Sequence, residues 1–390
     1  MIEKIISIFS KMLLNVEAKC GRTTTSAIIA LFIFIGAIFY GHISFTPQYH
    51  GVQFSLLSEN PFDFSYNNPL RYRILTPLLG YLTFLRGQYF FILPLIFCYL
   101  FISSMYYNYR EKSFSPVDSF VLTCLLSFSC VILIPLFAPA YTDIVTYFFL
   151  FLAFCKVEKI RLSAIYFSLA LLNHESALFL LPGLILYSLS ENKINPNKIF
   201  KTIVIFLVAC MPHICYRYYV NQHIRPMYDA GFYLSEANIY SIVRNLCSFF
   251  LPAVFYTFKL VWVIPLMYIL TLCKNKKLKE LLVILVILGG AFAQLLIAYD
   301  YTRMLVLAFP AILISAENLK NIYPKKFTTL IVALFLINLL ITQYQYNFDG
   351  KVKMAMFKKE NPLEKISKKV LNNAEIAKGN YAVENHFSGN

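Results

Sequence analysis

The sequence predicts an all-α polytopic membrane protein of about eleven transmembrane helices, within a range of roughly 10 to 13. Three observations lead there. Hydrophobic residues make up 58% of the chain and charged residues only 14%, with a mean hydropathy of +0.62, a balance foreign to water-soluble globules. Apolar blocks of about 17 to 25 residues, the length that crosses roughly 30 Å of hydrocarbon as helix, recur almost from end to end. The basic residues fall into short clusters between those blocks.

Taken in order, the blocks are 24–45, 88–109, 118–137, 143–155, 199–216, 246–273, 281–298, 304–316 and 327–344. The stretch 162–190 is interrupted by Asn173, His174 and Glu175, so it is read as two spans, short arms joined at a polar turn. Residues 1–23 form an N-terminal segment and 24–344 the transmembrane domain, with a first loop at 46–87, a second large loop at 217–245 and a polar tail at 345–390. The run 70–85 contains Pro77 and Gly80 and has too few apolar residues to span, which predicts an interfacial or re-entrant helix after the first loop.

A formal charge of +15 would suggest nucleic acid as partner for a soluble protein. Here the clusters at 110–112, 156–161, 193–201, 274–279 and 320–326 all fall on one side once the spans are counted. The positive-inside rule makes that side, and the N-terminus, cytoplasmic. The expected partner is therefore the lipid bilayer of a bacterial inner membrane, not nucleic acid. The nine cysteines show no metal-ligand spacing, and no cofactor is indicated; the His174–Glu175 pair is compatible with a divalent ion but falls short of a ligand set.

With that topology, Asp63, Asp143, His174, Glu175, Asp300 and Arg303 share the extracytoplasmic side. Ionisable groups within an apolar stretch are costly unless paired or solvated, so His174 and Glu175 are site candidates. Asp143 opens a span behind a proline-containing turn, where a carboxylate is also the ordinary helix cap. Asp300 and Arg303, three residues apart, suit either a local ion pair or an arginine that clamps phosphate. Arg71 and Arg73, in Pro69-Leu70-Arg71-Tyr72-Arg73, suit interface anchoring or lipid-phosphate binding. Asp63, in Asn60-Pro61-Phe62-Asp63-Phe64, is a solvated loop acid or a general base.

A cluster of carboxylates, a histidine and arginines beside a long first loop with an interfacial helix resembles the GT-C superfamily of integral membrane glycosyltransferases. The resemblance is architectural and covers about 24–190 best. It implies a polyprenyl-phosphate sugar as donor and a glycan or lipid-linked acceptor. It also implies Asp63 as catalytic base with Glu59 or Asp143 in reserve and Glu175 as a further catalytic carboxylate, and Arg71, Arg73, His174, Asp300 and Arg303 as lipid-phosphate or substrate-binding residues. The superfamily's adjacent acidic pair is missing from the first loop, and with a single tryptophan the chain has no Trp-Trp-Asp motif. No Walker loop or dinucleotide fingerprint is present, which favours a lipid-linked donor over a cytosolic nucleotide. The alternatives are a transporter or flippase of lipid-linked saccharides and a polysaccharide polymerase.

Overall fold

The computed structural model describes residues 2–41, 43, 45–47, 50–65, 68, 70–190, 196–224, 235–298, 300–347 and 350–353. The tail beyond 353 and residues 225–234 of the second large loop lie outside the described residues. In chain order the helices are α1 Ile2–Cys20, α2 Arg22–Tyr40, α3 His50–Glu59, α4 Leu75–Leu82, α5 Ile92–Glu111, α6 Pro116–Ser127 and α7 Cys130–Phe137. They continue as α8 Asp143–Cys155, α9 Ile160–Asn173, α10 Leu181–Ser190, α11 Pro196–His223, α12 Glu236–Phe258, α13 Val263–Lys274, α14 Leu278–Ala293, α15 Tyr301–Leu305, α16 Phe309–Ile322 and α17 Pro324–Leu340. Short 3-10 turns at Gly87–Tyr89, Glu175–Leu180, Lys259–Trp262, Gln294–Leu296 and Val306–Ala308 join several of them.

The protein is a multi-pass, helical membrane protein, but the count of eleven spans is not met. Among the described residues six helical stretches are long and apolar enough to cross a membrane: Arg22–Tyr40, Gly87–Glu111, Pro196–His223, Leu246–Lys274, Leu278–Leu296 and Tyr301–Ile322. The pair α6 and α7 makes a seventh if it is one span, bent by 47°. Apolar blocks at 143–155 and 162–190 instead become helices too short to span. At 1.5 Å per residue the 13 residues of α8 and the 14 of α9 cover only about 20 Å each. Hydropathy measures how apolar a block is, whereas the polar residues at its ends decide how much of it stays helical. The final block ends early as well, because α17 stops at Leu340 and residues Tyr344–Asn347 (β1) and Gly350–Lys353 (β2) pair as an antiparallel hairpin.

Helix packing is set by aromatic and small residues. Phe101 of α5 meets Phe151 of α8 and Phe309 of α16 edge-on at 5.4 and 5.7 Å, so three helices share one buried aromatic contact. Gly21, at φ +77°, separates α1 from α2 in a backbone conformation that other residues rarely adopt. Lys259 is buried and donates to Tyr40 Oη and to the carbonyls of Asn338 and Ile341 at 3.1, 3.0 and 2.7 Å. It thereby adds a donor to carbonyls at the C-terminal end of α17, where backbone acceptors outnumber intrahelical donors.

Ion pairs among the described residues sort into two groups at opposite helix ends. One group joins Glu17 to Arg22 and Arg110, Lys112 to Glu317, and Glu111 to Lys156. These residues come from the basic clusters and their neighbours, so those clusters gather at one end of the helices. The other group joins Arg73, Asp143, His174, Glu175, Asp300 and Arg303. Helix α8 runs from the second group to the first, and α9 runs back.

Helix α14 approaches the turn that carries Glu175 with no space to spare. A Cβ added at Gly290 would run into the carbonyl oxygen of Phe179, whereas one at neighbouring Gly289 would meet nothing within 4 Å. We expect Gly290→Ala to destabilise the protein by about 1–3 kcal/mol through overpacking. Gly289→Ala should be neutral or stabilising by up to about 1 kcal/mol, because alanine favours helix. Thermal unfolding of both variants in detergent checks this; equal behaviour would refute the close packing.

Candidate functional site

The second group of charges is built on a polar corner where α8 begins and α9 ends. Asn173, fully buried at the last position of α9, donates to the Thr142 carbonyl at 2.7 Å and to Thr146 Oγ1 at 2.8 Å. Its Oδ1 accepts from Thr76 Oγ1 of α4. One carboxamide thus fixes the start of α8, the end of α9 and the helix just beyond Arg73. The next residue, His174, is extended at φ −156° and ψ 124°, and its Nδ1 accepts the Ser176 amide at 3.1 Å. That bond occupies the Nδ1 lone pair, so a neutral His174 carries its proton on Nε2.

Asp143, in the first turn of α8, receives the favourable field of a helix N-terminus. Its Oδ1 lies 3.6 Å from His174 Nε2 and 3.8 Å from Arg303 Nε. Both distances exceed a hydrogen bond, and both nitrogens are buried without a hydrogen-bond partner. Arg303 also faces Asp300 Oδ2 at 3.4 Å and sits 5.1 Å from the centre of the Tyr141 ring. Asp300 is held in turn by Gln345 Nε2 of β1, at 3.0 and 3.2 Å from its two oxygens.

The polar corner turns Glu175 the other way. Its carboxylate accepts Arg73 Nε at 3.1 Å and Nη2 at 2.7 Å, a forked pair that fixes both planes. This pair lies closer to solvent than the rest: the Glu175 side chain is 39% exposed, whereas that of Asp143 is 9% exposed. The result is one continuous array, Arg73, Glu175, His174, Asp143, Arg303 and Asp300, in which three carboxylates face two guanidinium groups and an imidazole.

Asp63 and Arg71 belong to a different structure. The Asp63 Oδ1 accepts the Ser65 amide at 2.9 Å, and the Ser65 hydroxyl and amide hold its carboxyl below the usual carboxylate range. The Arg71 guanidinium is buried beneath this turn, 4.8 Å from the centre of the Phe64 ring and in reach of the Pro61 carbonyl at 3.4 Å. Arg71 therefore braces the loop, while Arg73, two residues on, enters the array. Between them Tyr72 donates its hydroxyl to Asn221 Oδ1 at 2.5 Å and lies 4.7 Å from the Arg217 guanidinium.

Sequence reasoning missed Gln345 and the joining function of Asn173. The alternation of Tyr344, Gln345, Tyr346 and Asn347 is a period-2 strand signal masked by the apolar block before it. His50 was also missed: its ring packs 5.9 Å from that of Tyr141, which Arg303 also contacts. Among the described residues no group of three or more His, Cys, Asp or Glu side chains is arranged to hold a metal ion. No family model matches the chain, and no curated protein matches it at a significant level.

Removing the cation from a buried charge group leaves its acids uncompensated. We expect Arg303→Met to cost about 3–5 kcal/mol, and Arg303→Met combined with Asp300→Asn to recover part of that loss. Thermal stability in detergent measures both, and wild-type stability of Arg303→Met would contradict a buried ionic array.

Proposed function

We propose that the protein is a GT-C-like membrane glycosyltransferase, moving a sugar from a polyprenyl-phosphate donor to a glycan or lipid-linked acceptor on the extracytoplasmic face of a bacterial inner membrane. The observation that carries this reading is the convergence of Arg73, His174 and Arg303 with three carboxylates at the end of the helices opposite the basic clusters. The positive-inside rule puts the basic end, and with it the N-terminus, in the cytoplasm, so the array faces outward.

Transfer of a sugar from a phosphate needs a base for the acceptor hydroxyl and positive charge for the departing phosphate. The buried His174 Nε2 and Arg303 Nε, 3.6 and 3.8 Å from Asp143 Oδ1 and neither hydrogen-bonded, make a donor pair suited to an anionic oxygen. Arg73 supplies a planar fork at the rim, already oriented by Glu175. Asp63 is the base in this reading: it is solvent-accessible in the first loop and ionised at neutral pH, with its carboxylate oriented by the Ser65 amide and hydroxyl. Glu175 positions Arg73, and Asp143 organises the two buried donors.

The competing readings are a transporter or flippase of lipid-linked saccharides and a polysaccharide polymerase. A charged path would put ion pairs along the passage. Among the described residues they fall at the two ends of the helices instead, which favours chemistry at a surface.

The test compares lipid-linked and surface glycans of cells carrying wild type, Asp63→Asn, Glu175→Gln or His174→Ala at matched membrane expression. Loss of the base should lower transfer by about 100-fold or more, with the unextended acceptor accumulating. Glu175→Gln and His174→Ala should weaken donor use while sparing the acceptor. Unchanged glycans in Asp63→Asn would overturn the assignment. Accumulation of a complete saccharide on the cytoplasmic side would point to transport.

A further inference from the structure

Helix α3 approaches the array through a close contact at its start. A Cβ added at Gly51 would come 2.5 Å from Ala140 Cβ, in the turn that leads into α8. Farther along, the Gln53 carbonyl accepts Asn68 Nδ2 at 3.1 Å, and Ser58 Oγ accepts the Gly87 amide at 3.0 Å. This placement sets His50, the first residue of α3, with its ring 5.9 Å from that of Tyr141. The guanidinium of Arg303 lies 5.1 Å from the centre of the same tyrosine ring. A single aromatic side chain therefore joins His50 to the buried charges.

His50 is exposed, whereas Tyr141, Asp143 and Arg303 are buried. It occupies a recess: solvent reaches the residue, yet protein surrounds much of its ring. The charges that act on the imidazole come from three places, Arg303 of α15, Arg73 ahead of α4 and Asp143 of α8. The other elements along α3 are α4 and the Gly87–Tyr89 turn, whose titratable side chains are the phenols Tyr81 and Tyr89. Residues 41–58 contain no acid.

Burial and the two guanidinium groups outweigh Asp143 and push the imidazole down to about 4, so the unliganded protein holds it neutral. An anion set against Arg303 and Arg73 reverses that balance. It offsets the field of both arginines and favours the imidazolium directly, whereas an uncharged or cationic ligand does neither. The imidazolium then makes a charge-assisted hydrogen bond to the anion.

We infer that His50 is the outer wall of an anion-binding cleft, holding a phosphodiester from the solvent side while Arg73 and Arg303 hold it from within, and that it takes one proton from solvent as this ligand binds. The inference rests on the transferase reading in placing the donor phosphate at the array, and it deepens that reading by linking donor binding to proton uptake. Because the imidazole gains its proton in the complex, binding is tightest below the ordinary histidine range and loses that gain as the pH rises through it.

The full-length protein in mild detergent is titrated calorimetrically with farnesyl methyl phosphate, a diester with no proton of its own to exchange near neutrality. Each titration is run in two buffers of different ionisation enthalpy, which counts the protons taken up. With His50 returned to about 6.5 in the complex, wild type should take up more than half a proton at about pH 6 and almost none at about pH 8, and its affinity should fall about fourfold between them. His50→Gln should take up none and bind equally at both values. His223→Gln, at another exposed histidine, should behave as wild type. Undiminished proton uptake in His50→Gln, pH-independent binding by wild type, or no binding by wild type would each overturn the proposal, as would displacement of the diester by millimolar inorganic phosphate. Proton uptake that depends on His50, together with unchanged glycans in Asp63→Asn cells, would instead overturn the transferase reading and leave the cleft standing. Gel filtration and thermal unfolding confirm that folded protein is compared, and His50→Asn repeats the test if the glutamine variant is unstable.

Discussion

The Asn173 side chain is the interaction on which the charged array depends. Its carboxamide is saturated by three partners from two other helices and a turn, all buried. In a low-dielectric interior an amide left unpaired costs far more than it does in water, so this residue has essentially one arrangement open to it. Once that arrangement is made, Asp143 and His174 are brought face to face and Glu175 is turned towards Arg73. The ionic contacts follow from the neutral one. A non-helical corner between two short helices is tolerated here because protein, not lipid, surrounds its backbone.

Legibility in the sequence followed the same division. The membrane class was plain, because bulk apolar composition is additive and needs no geometry. That the charges at 143, 174, 175, 300 and 303 share one end was also legible, since counting blocks only requires that helices alternate in direction. The number of spans was not, because 143–155 and 162–190 are as apolar as true spans and fall short only in helical length. Asp63 shares a loop with Arg71 and Arg73, yet those arginines, two residues apart, face different surroundings, one the loop interior and the other Glu175. Only the local backbone decides that, and no periodicity encodes it. Gln345 was hidden for a similar reason: a two-stranded hairpin after an apolar helix looks in sequence like that helix's polar end.

Charge is distributed between the two ends in contrasting ways. Within the array, three carboxylates face two guanidinium groups and most of the groups are buried, so their geometry is fixed by mutual contact. At the other end, cations predominate and several stay exposed, a distribution suited to the electrostatics of a membrane surface. The helices between carry few ionisable groups; Lys259 is an exception, and its charge is absorbed by the Asn338 and Ile341 carbonyl oxygens at the end of α17. A single chain thus separates a rigid polar centre from an adaptable basic rim across the thickness of a bilayer.

The hairpin at 344–353 gives the array a temporal order. Asp300 meets its amide partner only through Gln345, which follows the last helix of the described chain. A protein threaded into the membrane from its N-terminus therefore carries Arg73, Asp143, His174 and Glu175 through most of its synthesis with one edge of the array open. Strand β1 closes it, so a chain interrupted before Gln345 retains an incomplete centre even if every preceding helix has inserted.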